Sequence, residues 1–310
     1  MLELPLRHFS AKDRAYVLRQ APPPETEGVV VNVAPEFEKR SYAFKTLTLR
    51  VWVPEKSVRV KGMLLFLDEL EGQSSQRRFG MKSWLQFARV HNFAIANCKI
   101  TGYMPTYTEL LATPNDKKKP TDSPFQAARG EPATPVPSLI LAEALKLAGS
   151  EARGNGLERA PLYLWGRGYG ADVALHFSRS QRGRVKAIAI ENPYAPTALT
   201  PSIPTLAITS AGWKTQAELE ELAMKTRKRN GRLAMAEFNS GILRGLETDA
   251  KLREWFEAVA LPKHPEIKAV AVQRSTKKLI PWNEDFNLNP DIDWYPDRES
   301  AEAWGASVPK

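Results

Sequence analysis

The sequence predicts an α/β protein: a mostly parallel central sheet flanked by helices, entered through antiparallel strands and closed by a C-terminal tail packed on the domain. Three observations predict it. Short, continuous apolar runs recur along the chain, and such runs are strands buried on both faces, as in parallel sheets. Amphipathic helical patterns separate them, supplying the crossovers that parallel neighbours require. The 310 residues, 43% hydrophobic and 25% charged, are ordinary globular composition and enough chain to bury a full core.

Taken in order, residues 1–27 are polar and end in Ala21-Pro22-Pro23-Pro24, a stiff extended segment that reads as a lead-in, with the compact domain starting near Gly28. Val29 to Val33 and Tyr42 to Val53 partly alternate, the second stopped by Pro54, and suit antiparallel edge strands. The buried runs follow: Met63–Leu67, Phe93–Ala96, Leu162–Trp165, Val185–Ile190, Leu206–Ile208 and Leu233–Phe238. Helical patterns cover Phe79–Val90, Ser138–Ala148 stopped by Gly149, Ala171–Arg179, Thr215–Asn230 stopped by Gly231, and Thr248–Ala260. Thr215 and Glu218 have the spacing of a capping box, and their helix runs from acidic to basic as its dipole prefers. Leu252, Trp255, Phe256 and Val259 mark the buried stripe of the last helix. Thr101 to Pro137, rich in proline and carrying Lys117-Lys118-Lys119, reads as an insertion above the sheet. The expected division is therefore a lead-in at 1–27, a domain at 28–280, and an acidic tail at 281–310 whose Trp282, Trp294 and Trp304 should pack on it.

Composition excludes several classes. The longest apolar run is far short of the ~20 residues that cross a bilayer, so no membrane span and a soluble chain are expected. The lone Cys98 allows no intrachain disulfide, and His8, His91, His176 and His264 have no metal-ligand spacing, so neither metal nor cofactor is expected. Met1 to Phe9 lacks the features of an export signal. Net charge is +9, but unevenly spread: the last 30 residues carry −5, leaving +14 for residues 1–280. The basic groups include Arg77-Arg78, Lys117–Lys119, Arg179, Arg182, Arg184, Lys186, Arg227–Arg229 and Lys277-Lys278. They read as a solvated exterior or as a surface for an anionic polymer. No specific nucleic-acid motif accompanies them, so an anionic glycan is the better partner if the protein is exported.

The stretch Leu162-Tyr163-Leu164-Trp165-Gly166-Arg167-Gly168-Tyr169-Gly170 is a buried strand entering a helix through a glycine-rich corner, where α/β-hydrolases place Gly-x-Ser-x-Gly. The chain resembles that superfamily over roughly residues 42–260. The likeness includes a presumed oxyanion loop, Leu65-Phe66-Leu67-Asp68-Glu69-Leu70-Glu71-Gly72, and the strands preceding the acid and histidine loops. Ser10-x-x-Asp13-x-x-Tyr16-Val17 resembles the closing stretch of small SH3-like modules found upstream of some exported bacterial hydrolases, and the ending Asp293 to Trp304 resembles the tail of a group of exported bacterial esterase-like hydrolases. That resemblance implies an α/β-hydrolase-like domain outside the cytoplasm, its export signal removed.

The family's chemistry needs a serine on the corner, a histidine to take its proton and a carboxylate to orient the histidine. On the resemblance, those positions read Gly168, Ile242 and Trp213, which implies a degenerate member with a binding or scaffolding role toward a small molecule, glycan or protein. Two alternatives stand beside it: an active esterase-like hydrolase using a non-standard site, and a basic interaction module for an anionic polymer. Asp68, Glu69, Arg167 and Tyr169 are candidates to line the pocket. Asp68, Glu69 and Glu71 could hold a hard cation, act as acid and base, or be a solvated loop. Cys98 ends a strand and is either a nucleophile or a small buried hydrophobe. His176 and His91 read as packed helix residues. The Gly-x-Gly-x-Gly corner lies too late in the chain for a dinucleotide fingerprint, and a glycine there tolerates a strained turn.

Overall fold

The computed structural model describes residues 16–20, 28–34, 46–54, 59–67, 82–101, 136–152, 156–196, 199–210, 212–229, 231–238, 244–260, 269–283, 289 and 291–304. The chain divides into two compact units, Met1–Pro161 and Leu162–Lys310.

The first unit contains β1 (Tyr16–Gln20), β2 (Gly28–Ala34), β3 (Thr46–Pro54), β4 (Gly62–Leu67) and β5 (Phe93–Thr101), with helices α1 (Lys82–His91) and α2 (Val136–Glu151). Its strands lie in the order β1-β2-β3-β5-β4, antiparallel except for the β4–β5 pair. The strand read as an edge, β3, is flanked by β2 and β5, and β1 takes the outside position from within the proline-ended lead-in. Every residue of β4 is buried, as its unbroken apolar sequence requires of a strand covered on both faces. Phe66 meets Trp84 of α1 edge to face at 5.0 Å, the geometry aromatic quadrupoles favour. Gly149 does not stop α2, which continues to Glu151. A Cβ there would lie 2.7 Å from Glu158 Cβ, so the glycine lets the helix approach the short 3₁₀ turn at Leu157–Arg159.

The second unit holds β6 (Leu162–Arg167), β7 (Val185–Glu191), β8 (Thr205–Ser210) and β9 (Leu233–Phe238), adjacent in that order and all parallel. Helices α3 (Tyr169–Ser180), α4 (Gln216–Arg227) and α5 (Arg244–Ala260) belong to the same unit. The strands that form from the continuous apolar runs pair in parallel in β4–β5, β6–β7, β7–β8 and β8–β9, as those runs predict. Leu252, Trp255 and Phe256 of α5 are buried, and Phe256 lies edge to face with Tyr163 of β6 at 6.4 Å. The capping box at Thr215 does not form: its hydroxyl donates instead to the Pro193 carbonyl at 2.6 Å.

The tail folds back on this unit. β12 (Ile292–Tyr295) joins β10 (Val270–Gln273) and β11 (Leu279–Pro281) in an antiparallel sheet of order β11-β10-β12, and packs against β9. Trp294 and Tyr295 are buried, whereas Trp282 and Trp304 are half-buried. The short helix α6 (Arg298–Ala303) starts on Asp297, whose carboxylate accepts the Ser300 N–H at 2.8 Å. Among the described residues, no helix is long and apolar enough to cross a membrane.

Candidate functional site

The corner between β6 and α3 turns on Gly168, with φ 53° and ψ −123°. That region is open to glycine and strained for any residue with a Cβ. The turn is held by its own backbone: Gly168 N–H donates to Glu191 O at 2.8 Å, and Gly168 O accepts from Ala171 N–H at 3.0 Å. Gly166 serves a different need, since a Cβ on it would lie 2.5 Å from Gly170 O and 2.6 Å from Ala171 Cα. Strand and helix therefore cross at a distance only glycine allows. The result is a sharp strand-to-helix elbow that puts residue 168 at the carboxyl end of β6.

The ends of β7 and β8 complete the surroundings. Arg167 Nε lies 3.5 Å from Glu191 Oε1. Asn192, in the left-handed region at φ 48°, bonds Ser210 twice: its Nδ2 donates to Ser210 Oγ at 2.9 Å, and Ser210 N–H donates to its Oδ1 at 2.8 Å. Asp172, on the first turn of α3 and 1% exposed, accepts the N–H groups of Tyr194 and Ala195 at 3.1 Å each. Burial pushes its carboxyl up to about 7, a shift that those two donors and the nearby Lys214 charge only partly oppose. From the other side, Trp213 Nε1 donates to Pro193 O at 3.0 Å, and the Tyr194 and Trp213 rings lie 5.6 Å apart. Lys214 Nζ sits 5.2 Å from the Tyr194 ring centroid. The 192–195 loop is thus pinned between α3 and the segment after β8.

No protein-family model matches the chain, and no curated protein matches it significantly. Solved structures do. An S-formylglutathione hydrolase from Agrobacterium tumefaciens superposes with a TM-score of 0.52 at 11% identity, covering 78% of this chain and 98% of that one. A zinc-bound cold-adapted esterase from an Arctic intertidal metagenomic library gives 0.51 at 11% identity, covering 78% and 99%. The fold is that of the α/β-hydrolases. At such identity the likeness establishes the fold alone.

On the α/β-hydrolase frame the structure places Gly168 on the elbow and Arg167 and Tyr169 beside it, with Trp213 in the loop after β8. Arg167 is taken up by Glu191, and the Tyr169 phenol is buried and pushed well above its usual range by burial and by Asp172. Cys98 lies buried in β5, its thiol pushed up to about 12 by burial, the reverse of what a thiolate nucleophile needs. His176 is buried on α3 and held down to about 4 by burial and the Arg179 charge. His91 packs against Phe87, ring centroids 4.5 Å apart. Asp68, Glu69, Glu71, Lys117–Lys119, Ile242, His8 and His264 lie outside the described residues. Among those described, no group of three His, Cys, Asp or Glu could hold a metal ion.

Sequence reading passed over Asp172, Glu191, Asn192 and Tyr194. Two signals were there: Asn-Pro at 192–193 is a turn initiator at the end of a strand, and Asp172 is a carboxylate in the first turn of an otherwise apolar helix start.

Proposed function

We propose that this chain is a catalytically inactive α/β-hydrolase-fold protein that binds a small molecule, glycan or protein at the carboxyl edge of its sheet. One observation carries the reading: the elbow residue is glycine, so the corner that would strain a nucleophile into place holds none. The reading also takes Trp213 as the acid position and Ile242 as the base position, on resemblance to the family. Hydrogen-bonded and aromatic groups at 192–195 and 213 support recognition of a ligand there, because they are rigid and already partnered. The test is hydrolysis of p-nitrophenyl acetate and butyrate together with labelling by a fluorophosphonate. No turnover above buffer and no label are expected; either signal, reproduced in purified protein, overturns the proposal.

A second reading is an esterase-like hydrolase that works from another site, favoured by the names of the two structural neighbours, an esterase and an S-formylglutathione hydrolase. It requires ester turnover that falls on Cys98→Ala or on Asp68→Asn combined with Glu69→Gln.

A further inference from the structure

Far from the elbow, the second unit gathers charge at the opposite edge of its parallel strands. Because β7, β8 and β9 run parallel, the segments that lead into them meet at one edge, with neighbouring strands ~4.8 Å apart. Arg179, Arg182 and Lys186 surround the entry to β7; Lys228, Arg229 and Arg232 surround the entry to β9; all six are exposed. Segments 173–190, 199–208 and 222–236 contain no Asp or Glu. The C-termini of α3 and α4 point to this edge, but each contributes only about half a negative charge, roughly one against six. The surplus is therefore not explained by capping those helices.

The turns that carry these cations are closed by hydrogen bonds. The 181–184 turn closes through Arg184 N–H to Gln181 O at 2.9 Å, and Lys186 Nζ donates to Gly183 O at 3.0 Å. After α4, Arg229 N–H and Gly231 N–H both donate to Thr226 O at 3.0 Å. Gly231 is required there, since a Cβ would fall 2.4 Å from Thr226 Cγ2 and 2.7 Å from Thr226 O.

We infer that this edge is a docking surface for a linear anionic polysaccharide. Four of the six cations are arginines, whose planar forks match sulfate and carboxylate groups along a chain. Other polyanions fit less well. Among the described residues of this unit no large hydrophobic side chain stands exposed, so they offer no apolar anchor for a bilayer. Trp294, the aromatic near it, is buried with the Arg232 guanidinium 5.7 Å from its ring centroid, and offers no face for stacking nucleobases. The inference does not depend on the state of the elbow.

The test uses the full chain and fluorescently labelled heparin, with alginate, duplex DNA and phosphatidylserine vesicles as comparison probes, at low and at elevated salt. Binding to heparin or alginate that weakens as salt rises is expected, because exposed charges are screened beyond ~8 Å at physiological ionic strength. Arg182→Glu/Lys186→Glu/Arg229→Glu should weaken it by about tenfold or more, against about threefold or less for Lys214→Glu/Lys277→Glu/Lys278→Glu, which removes the same charge from this unit outside the strand-entry edge. Melting curves check the folding of both variants, and Arg182→Gln and Lys186→Gln serve if the triple change unfolds. Equal losses in the two triple variants, no glycan binding, or tighter binding to DNA or vesicles than to either glycan would each overturn the inference.

Discussion

Asp172 is a carboxyl almost wholly removed from water that nevertheless holds two backbone N–H groups of the 192–195 loop. The two effects oppose each other, and burial wins, raising the group from 3.8 to about 7. For an acid whose folded value is raised, the unfolded chain releases its proton first. Stability is therefore fully present below about pH 4 and falls as pH climbs toward 7, by up to about 4 kcal/mol from this group alone. Asp172→Asn removes the titration but keeps the size. Thermal melts between pH 4.5 and 7.5 should show the native protein losing stability with rising pH relative to the variant. Parallel pH profiles for the two proteins would mean that Asp172 is ionised in the fold throughout that range. The same residue shows why the site was only partly legible in the sequence. Gly168 announces itself, because a strand, a glycine-rich corner and a helix are contiguous in the chain. Asp172 acquires its role from partners more than twenty residues away, and its place in the first turn of a helix is a local signal that does not name them.

At the scale of elements, the long ones were legible and the short ones were not. The buried runs Met63–Leu67, Val185–Ile190 and Leu233–Phe238 each match an observed strand, since four to six apolar residues between helical patterns leave few alternatives. β10, β11 and β12 have three or four residues each, too few to display a period, and β1 hides in a polar segment ending in three prolines. What fixes the tail is chemistry rather than pattern. Arg227, at the end of α4, meets Asp293 of β12 in a buried ion pair, with Arg274 Nε 3.8 Å from the same carboxylate. Burial pushes the Asp293 carboxyl up and the Arg227 guanidinium down, so desolvation outweighs their attraction in both groups. Such a pair contributes little net stability, yet losing one member strands the other charge. Asp293→Ala should cost about 3–5 kcal/mol in urea denaturation, whereas Arg227→Met with Asp293→Leu should cost much less. A double variant as unstable as the single one would show that packing volume, not charge, holds β12 to the core.

For the whole molecule, the distance between fold and chemistry is the central fact: an architecture shared with an esterase and an S-formylglutathione hydrolase at 11% identity, around an elbow that carries glycine. If serine, acid and base act as a unit, putting back one of them accomplishes almost nothing. Gly168→Ser alone should leave p-nitrophenyl acetate hydrolysis at background. It should also lower the melting temperature, since a side chain at φ 53° costs on the order of 1–3 kcal/mol. Gly168→Ser with Trp213→Asp and Ile242→His should give measurable turnover that follows a base titrating near neutrality. The triple variant will be the least stable of the set, because Trp213 also satisfies the Pro193 carbonyl and packs on Tyr194. Its activity must therefore be read at a temperature where its melting curve shows it folded. The decisive outcome is that of the single variant. Robust esterase activity from Gly168→Ser would mean that an acid and a base still stand ready around the elbow, and that Trp213 and Ile242 are not the positions they once held.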